Sequence, residues 1–269
     1  MASPLRALFL AIACQLCACK RGVKADKLEG LFNAHHSDKG FMHGYHRFYN
    51  RLLPDQGDEI HLLEIGVSHG GSMKAWEEYF TNSSSRFLGL AYAAPRGEAK
   101  KSLRLSSPDP RTNIIYGDQS NATVLTQLAA ELSPLDLIID DGSHVPSHQW
   151  LTLLKLWPLV KPGGHFTLED VETSYWKRGS GVYAYSLKEE TSLFPRIFDL
   201  VHAEVNAELS RRPSMLPGLV SVEFGLSMII LRKAGPEDER FVRPRQYRWP
   251  HNLPSSEKDA LPGAGLTGC

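Results

Sequence analysis

Two short acidic runs carry the side chains best suited to chemistry. Asp140-Asp141-Gly142-Ser143-His144 and Glu169-Asp170 each follow an apolar run, Leu135-Asp136-Leu137-Ile138-Ile139 and His165-Phe166-Thr167-Leu168. Carboxylates are hard oxygen donors that suit magnesium or calcium, and a histidine that titrates near neutrality suits proton abstraction. A single acid at a strand end usually caps a helix or faces water. Asp141, Glu169 and Asp170, at neighbouring strand ends beside a Gly-Ser turn, read instead as a divalent-cation site, with His144 as the base beside it. An all-oxygen donor set favours magnesium over zinc. Strand alternation turns Asp140 away from Asp141, so Asp140 is left out of the metal set.

The elements that must position these groups follow from periodicity. An amphipathic helix over about Ser147 to Val160, ending in Lys161-Pro162-Gly163-Gly164, joins the two apolar runs. Strand, helix, strand is the crossover that sets parallel strands side by side, with both acidic runs at the carboxyl edge where open α/β folds bind ligands. Upstream, strands are expected over Ile60 to Ile65, Arg86 to Leu90 and Asn113 to Tyr116, with helices over Ser72 to Phe80 and Thr123 to Leu132. Asp26 to Leu53 reads as helical with a break at His36-Ser37-Asp38-Lys39-Gly40, and Tyr45, Phe48, Tyr49 and Leu52 share one face. His43 and Tyr45 fit either core packing or closure of a site, and His35-His36 reads as surface. Downstream, Val171 to Ser186 reads as an aromatic-rich loop, with Tyr175 and Trp176 lining a lid, followed by a helix over about Leu187 to Leu209. Leu219 to Phe224 and Leu226 to Leu231 read as an antiparallel hairpin about Gly225. The expected fold is α/β, doubly wound, with a mostly parallel seven-stranded sheet and a C-terminal antiparallel hairpin. The segments expected are 1–19 as signal peptide or anchor, 20–56 as helical, 57–233 as the main domain and 234–269 as a disordered tail.

With 30 basic and 30 acidic residues in 269, charge argues for neither nucleic acid nor an anionic membrane as partner. Arg6 and the apolar run Ala7 to Ala18 suit a signal-peptide core, with an uncleaved anchor or an organelle-targeting segment as alternatives. On the first reading the protein enters the secretory pathway, and a membrane is a partner only on the second. Cys14, Cys17, Cys19 and Cys269 are the only cysteines, so the stretch from Val23 to Gly268 holds neither a disulfide nor a cysteine metal site.

Glu64-Ile65-Gly66-Val67-Ser68-His69-Gly70-Gly71-Ser72 joins the first strand to the first helix of the repeat. Glycine there lets backbone approach a ligand. The turn lacks G-x-G-x-x-G and the Gly-Lys-Ser/Thr of a phosphate loop, and no other part of the chain supplies a G-x-S-x-G elbow. With this turn, Asp38-Lys39-Gly40, His43-Gly44-Tyr45, Trp76 with Tyr79-Phe80, Gly117-Asp118-Gln119, Ile139 to His144, and Glu169-Asp170 with Thr173-Ser174-Tyr175-Trp176 occur in order between Asp26 and Lys233. This series resembles the macrocin and mycinamicin type of sugar O-methyltransferase, within the class I methyltransferases that use S-adenosylmethionine. The resemblance implies that Glu64, Gly66, Ser68 and Gly70 form the cofactor loop, with Ser68 where many class I enzymes carry a glycine. It implies that Asp118 meets the adenine amino group, that Asp141 lies at the cofactor as well as the metal, that Asp141, Glu169 and Asp170 hold Mg2+, and that His144 is the base. It departs at Ala91, which stands where an acid normally binds the ribose hydroxyls. Glu98 is the nearest substitute.

The function implied is methyl transfer to a hydroxyl of a sugar or polyol-like small molecule, with self-association left open. Ala91 motivates a second reading, a degenerate methyltransferase fold serving as a binding or scaffold protein. A third, a metal-dependent hydroxylase, would want two histidines with one carboxylate, and the strand ends offer carboxylates instead.

Overall fold

The computed structural model describes residues 26–92, 107–176, 192–205 and 214–238. They fall into two compact units divided in sequence between Asp118 and Gln119. The fold is α/β with a mixed seven-stranded sheet, as the alternation of apolar runs predicts.

In the first unit, α1 (Lys27–Ala34) starts where the Asp26 carboxylate accepts hydrogen bonds from the Leu28 and Glu29 amides at 3.0 and 3.3 Å. It buries Leu28, Leu31 and Phe32. The expected break is narrower than its sequence suggests. His36, at φ 57°, turns the chain, and Asp38–Phe41 already forms a short helix, α2, before α3 (His46–Leu52). That helix aims Lys39 inward. Of the predicted aromatic face, Tyr45 and Tyr49 are buried, while Phe48 and Leu52 are half-buried. His43 stacks on Tyr45 with ring centroids 4.9 Å apart. Strands β1 (His61–Ile65), β2 (Arg86–Tyr92) and β3 (Thr112–Gly117) run parallel in the order β3-β2-β1, with α4 (Gly71–Tyr79) following β1. β2 outlasts its expected end at Leu90, because Ala91 and Tyr92 pair with Tyr116 and Gly117.

The centre of this unit is charged. Lys39 and Glu64 are 1% and 0% exposed, with the ammonium nitrogen 3.4 Å from Glu64 Oε1. Trp76 Nε1 donates to Glu64 Oε2 at 2.9 Å, and the Trp76 ring meets Phe32 and Tyr49 edge-on at 4.9 and 5.4 Å. One strand and four helices are thereby tied together around an ion pair.

In the second unit, α5 (Ala122–Glu131), capped by the Asn121 side chain, leads into β4 (Leu135–Asp140). Helix α6 (Pro146–Leu156) stops before the expected Val160, since Pro158 has no amide hydrogen and Trp157–Leu159 tightens into a 3-10 turn. Lys161 to Gly164, expected as the end of that helix, belong to β5 (Val160–Glu169), which runs parallel to β4 with Asp140 opposite Leu168. The Val171–Tyr175 part of the expected loop is a 3-10 turn, and α7 (Phe194–Leu200) continues as a π turn over Val201–Val205. The hairpin is β6 (Leu219–Gly225) and β7 (Met228–Lys233), turning at Leu226-Ser227 rather than at Gly225. β7 lies antiparallel to β5, so this unit orders as β4-β5-β7-β6. Past β7, Arg232 pairs with Asp238 at 2.6 and 2.7 Å and holds a short turn over Pro236–Asp238. The expected targeting segment, the remainder of the tail, Glu98, and the outer parts of the lid and of the Leu187–Leu209 helix lie outside the described residues. Among the described residues no helix is long and apolar enough to cross a membrane.

Replacing Lys39 by Met strands the Glu64 charge. Urea denaturation is expected to show a loss of about 3–5 kcal/mol, most of it recovered in the Lys39→Met/Glu64→Gln pair. A loss under about 1 kcal/mol for the single variant would contradict a buried ion pair.

His165 in β5 gives a pH dependence. Burial, and then Arg232, hold its imidazole below the usual 6.5, against a smaller opposing pull from Glu223. The unfolded chain therefore takes up the proton first as pH falls through about 6.5, and stability drops there. In paired denaturation series between about pH 7.5 and 5, His165→Gln is expected to lose less stability than the unaltered chain. Parallel curves would refute the assignment.

Candidate active site

The second unit draws Asp141, His144 and Asp170 together, with one donor atom from each lying within 4.8 Å of the others. All three are half-buried. His144 Nε2 sits 3.4 Å from Asp170 Oδ2. The parallel register of β4 and β5 carries residues 141 and 169–170 to one edge, and two backbone reversals do the rest. His144 and Asp170 both adopt left-handed conformations, at φ 53° and 52°. Such backbone costs about 1–3 kcal/mol per non-glycine residue and persists where surrounding contacts impose it. Here Thr173 Oγ1 donates to the His144 carbonyl at 2.9 Å, and Gln149 Nε2 to the Glu169 carbonyl at 2.7 Å.

Glu169 lies one residue before the reversal, fully buried at the end of β5. It is not among the three clustered donors. Asp140 is separate from the cluster, as strand alternation predicts. It is fully buried, and that burial pushes its carboxyl above the usual carboxylate range, against hydrogen bonds from Thr152, Gln119 and the Gly142 amide. Gln119 is the organiser that residue-type reasoning passes over. Its Nε2 donates to both Asp140 oxygens at 3.1 and 3.3 Å, and its Oε1 accepts from the Ser143 amide at 2.6 Å. A Cβ on Gly142 would lie 1.9 Å from Gln119 Oε1, so any larger residue there must displace the Gln119 amide. The available signal was the position of Gln119, directly after the acid that ends the third strand.

Two carboxylates with an imidazole beside them fit a hard divalent cation that keeps part of its water, as magnesium does. They do not match the two-histidine, one-carboxylate set of non-haem iron oxygenases.

The first unit carries the glycine turn. Gly66, Ser68 and Gly70 alternate in the positive-φ region at 95°, 44° and 79°, so position 68 requires left-handed backbone and Ser68 bears that strain. The Gly66 amide donates to the Leu90 carbonyl and the Gly70 amide to that of Val67, which sets the turn on the strand end. Gly66 to Gly70 also spells G-x-S-x-G. Ser68 Oγ meets only the ring of the adjacent His69, at 3.1 Å, with no carboxylate recorded on that ring among the described residues, so no nucleophilic triad forms. Glu64 is fully buried, with its oxygens facing Trp76 and Lys39. Asp118 follows β3, half-buried. Ala91 is a buried strand residue, and Tyr92 beside it is 65% exposed.

A methyltransferase-domain family model matches residues 63–171, which span the glycine turn and both acidic runs. The 8-demethyl-8-alpha-L-rhamnosyl tetracenomycin-C 2'-O-methyltransferase of Streptomyces olivaceus is 31% identical over 206 residues, 73% of this chain and 52% of that protein. The mycinamicin VI 2''-O-methyltransferase of Micromonospora griseorubida is 30% identical over 189 residues, 67% of this chain and 44% of that protein. The chain thus spans about half the length of these curated relatives. The crystal structure of the MycE methyltransferase of the mycinamycin pathway, in complex with Mg and SAH, superposes with a TM-score of 0.64. It is 26% identical and covers 79% of this chain and 55% of its own.

Asp170→Gly relieves a left-handed residue and removes one donor. Its unfolding free energy is expected to hold or rise by about 1 kcal/mol, while the heat of Mg2+ binding seen in calorimetry of the unaltered chain disappears. Undiminished Mg2+ binding by this variant would exclude Asp170 as a ligand.

Proposed function

The chain belongs to the macrocin and mycinamicin type of sugar O-methyltransferase, a branch of the class I methyltransferases, and from that premise we propose that it methylates a hydroxyl of a sugar or polyol-like small molecule, using S-adenosylmethionine and Mg2+. The observation that carries this reading is the convergence of Asp141, Asp170 and His144 on one edge of β4 and β5. Magnesium, when bound, supplies a Lewis acid that makes a hydroxyl easier to deprotonate.

Asp141 and Asp170 would hold the cation, with Glu169 buried behind them at the end of β5. His144 Nε2 takes the hydroxyl proton, and the Asp170 carboxylate 3.4 Å away stabilises the imidazolium that results. The acceptor oxygen forms its bond to the methyl carbon as the carbon–sulfur bond breaks, leaving S-adenosylhomocysteine. Gly66, Ser68 and Gly70 present backbone to the cofactor, and Asp118 meets its adenine. Glu64 acts from within the core, setting the end of β1 from which the turn departs. Residues 1–19 would direct the protein into the secretory pathway or anchor it.

Ala91 favours one other reading, a fold that keeps its shape without turning over. Calorimetric titration with S-adenosylhomocysteine separates the two, since a scaffold gives no heat at millimolar ligand. For the enzyme, radiolabelled methyl transfer to a panel of deoxysugar glycosides is expected to stop in EDTA. It should fall at least about 100-fold in Asp141→Ala and in His144→Gln with folding intact. Transfer undiminished in EDTA, or in Asp141→Ala, would rule out the metal-assisted route.

A further inference from the structure

Beyond the carboxylate edge, the second unit contains a cavity of about 320 Å³ lined by Val171, Glu172, Tyr175, Phe194, Phe198, Phe224, Gly225, Ser227 and Met228. This volume is at the small end of the range for small-molecule sites. Its walls are aromatic. Tyr175 and Phe194 lie 4.7 Å apart between ring centroids, Phe194 and Phe224 6.3 Å, and Phe198 and Phe224 5.7 Å. Phe198, Tyr175 and Phe224 nevertheless remain 54, 49 and 45% exposed, an unusual outlay of aromatic surface at one place.

Glu172 supplies the single carboxylate of the lining. Its Oε2 is shielded from solvent and accepts no hydrogen bond among the described residues. An anion is repelled by the Glu172 charge, and a neutral ring leaves that charge uncompensated. A substituted ammonium satisfies both parts of the wall, because its charge meets the carboxylate and its alkyl groups lie against the negative faces of the rings.

We propose that this cavity is a binding site for an alkylammonium group, with Glu172 as counter-ion and Tyr175, Phe198 and Phe224 as aromatic walls. The site begins two residues after Asp170, yet it requires neither cofactor nor metal ion and does not depend on the methyl-transfer reading.

Choline and its neutral isostere 3,3-dimethylbutan-1-ol test the charge requirement. Binding of each to the full chain is followed by calorimetry and by ligand-observed NMR in the absence of cofactor and metal. Choline is expected to bind at least about tenfold more tightly than the alcohol, with that preference lost in Glu172→Gln and binding weakened in Phe198→Leu. Phe198 is on an exposed helix face, so this variant folds even if changes in the hairpin do not. Equal binding of the two ligands, no binding of choline, or an unchanged preference in Glu172→Gln would each overturn the proposal. A failure of methyl transfer leaves these readings untouched, so the two hypotheses fall separately.

Discussion

A fully buried lysine must be paired, and pairing Lys39 fixes much of the first unit. Its ammonium reaches Glu64 only if α2 packs against the end of β1, and Glu64 in turn takes the indole hydrogen of Trp76 from α4. The cost of desolvating both charges is offset only while all three groups keep their places. The glycine turn leaves β1 one residue past Glu64. Its backbone is thus positioned by a core contact together with the Gly66 and Gly70 amide hydrogen bonds.

The second unit solves a similar problem with neutral partners. Gln119 spans Asp140 and the Ser143 amide, and Gly142 leaves it the room to do so. With Asp140 occupied inward, Asp141 is left for the edge. The left-handed residues His144 and Asp170 then turn two side chains toward it that an extended strand would have sent elsewhere. Strain of this kind, held by Thr173 and Gln149, is an expense that a purely structural turn would avoid by using glycine.

Much of this was legible in order along the chain. Apolar runs of strand length located all seven strands within a few residues. The errors lie at boundaries where a tertiary partner extends or shortens an element. β2 runs on through Ala91 because β3 offers Tyr116, β5 begins at Val160 because β4 offers Leu135, and Pro158 ends α6 early. The chemistry of Asp141, Asp170 and His144 was readable because carboxylates at adjacent strand ends have few uses. The work of Lys39 and Gln119 was not, since a lysine or glutamine in a sequence reads as surface.

Beside a motif order that resembles a known family, residue types and their spacing by themselves determined the α/β alternation and the edge where the acidic runs meet. These depend on local periodicity and on parallel crossovers, which carry few alternatives. Only the tertiary structure decided which carboxylates face one another, why Ser68 occupies a left-handed position, and where a lysine and a glutamate share the core. Those outcomes turn on backbone reversals at non-glycine residues and on contacts between segments far apart in sequence. Neither leaves a local trace, because the energy that selects them is supplied by the partner and not by the residue.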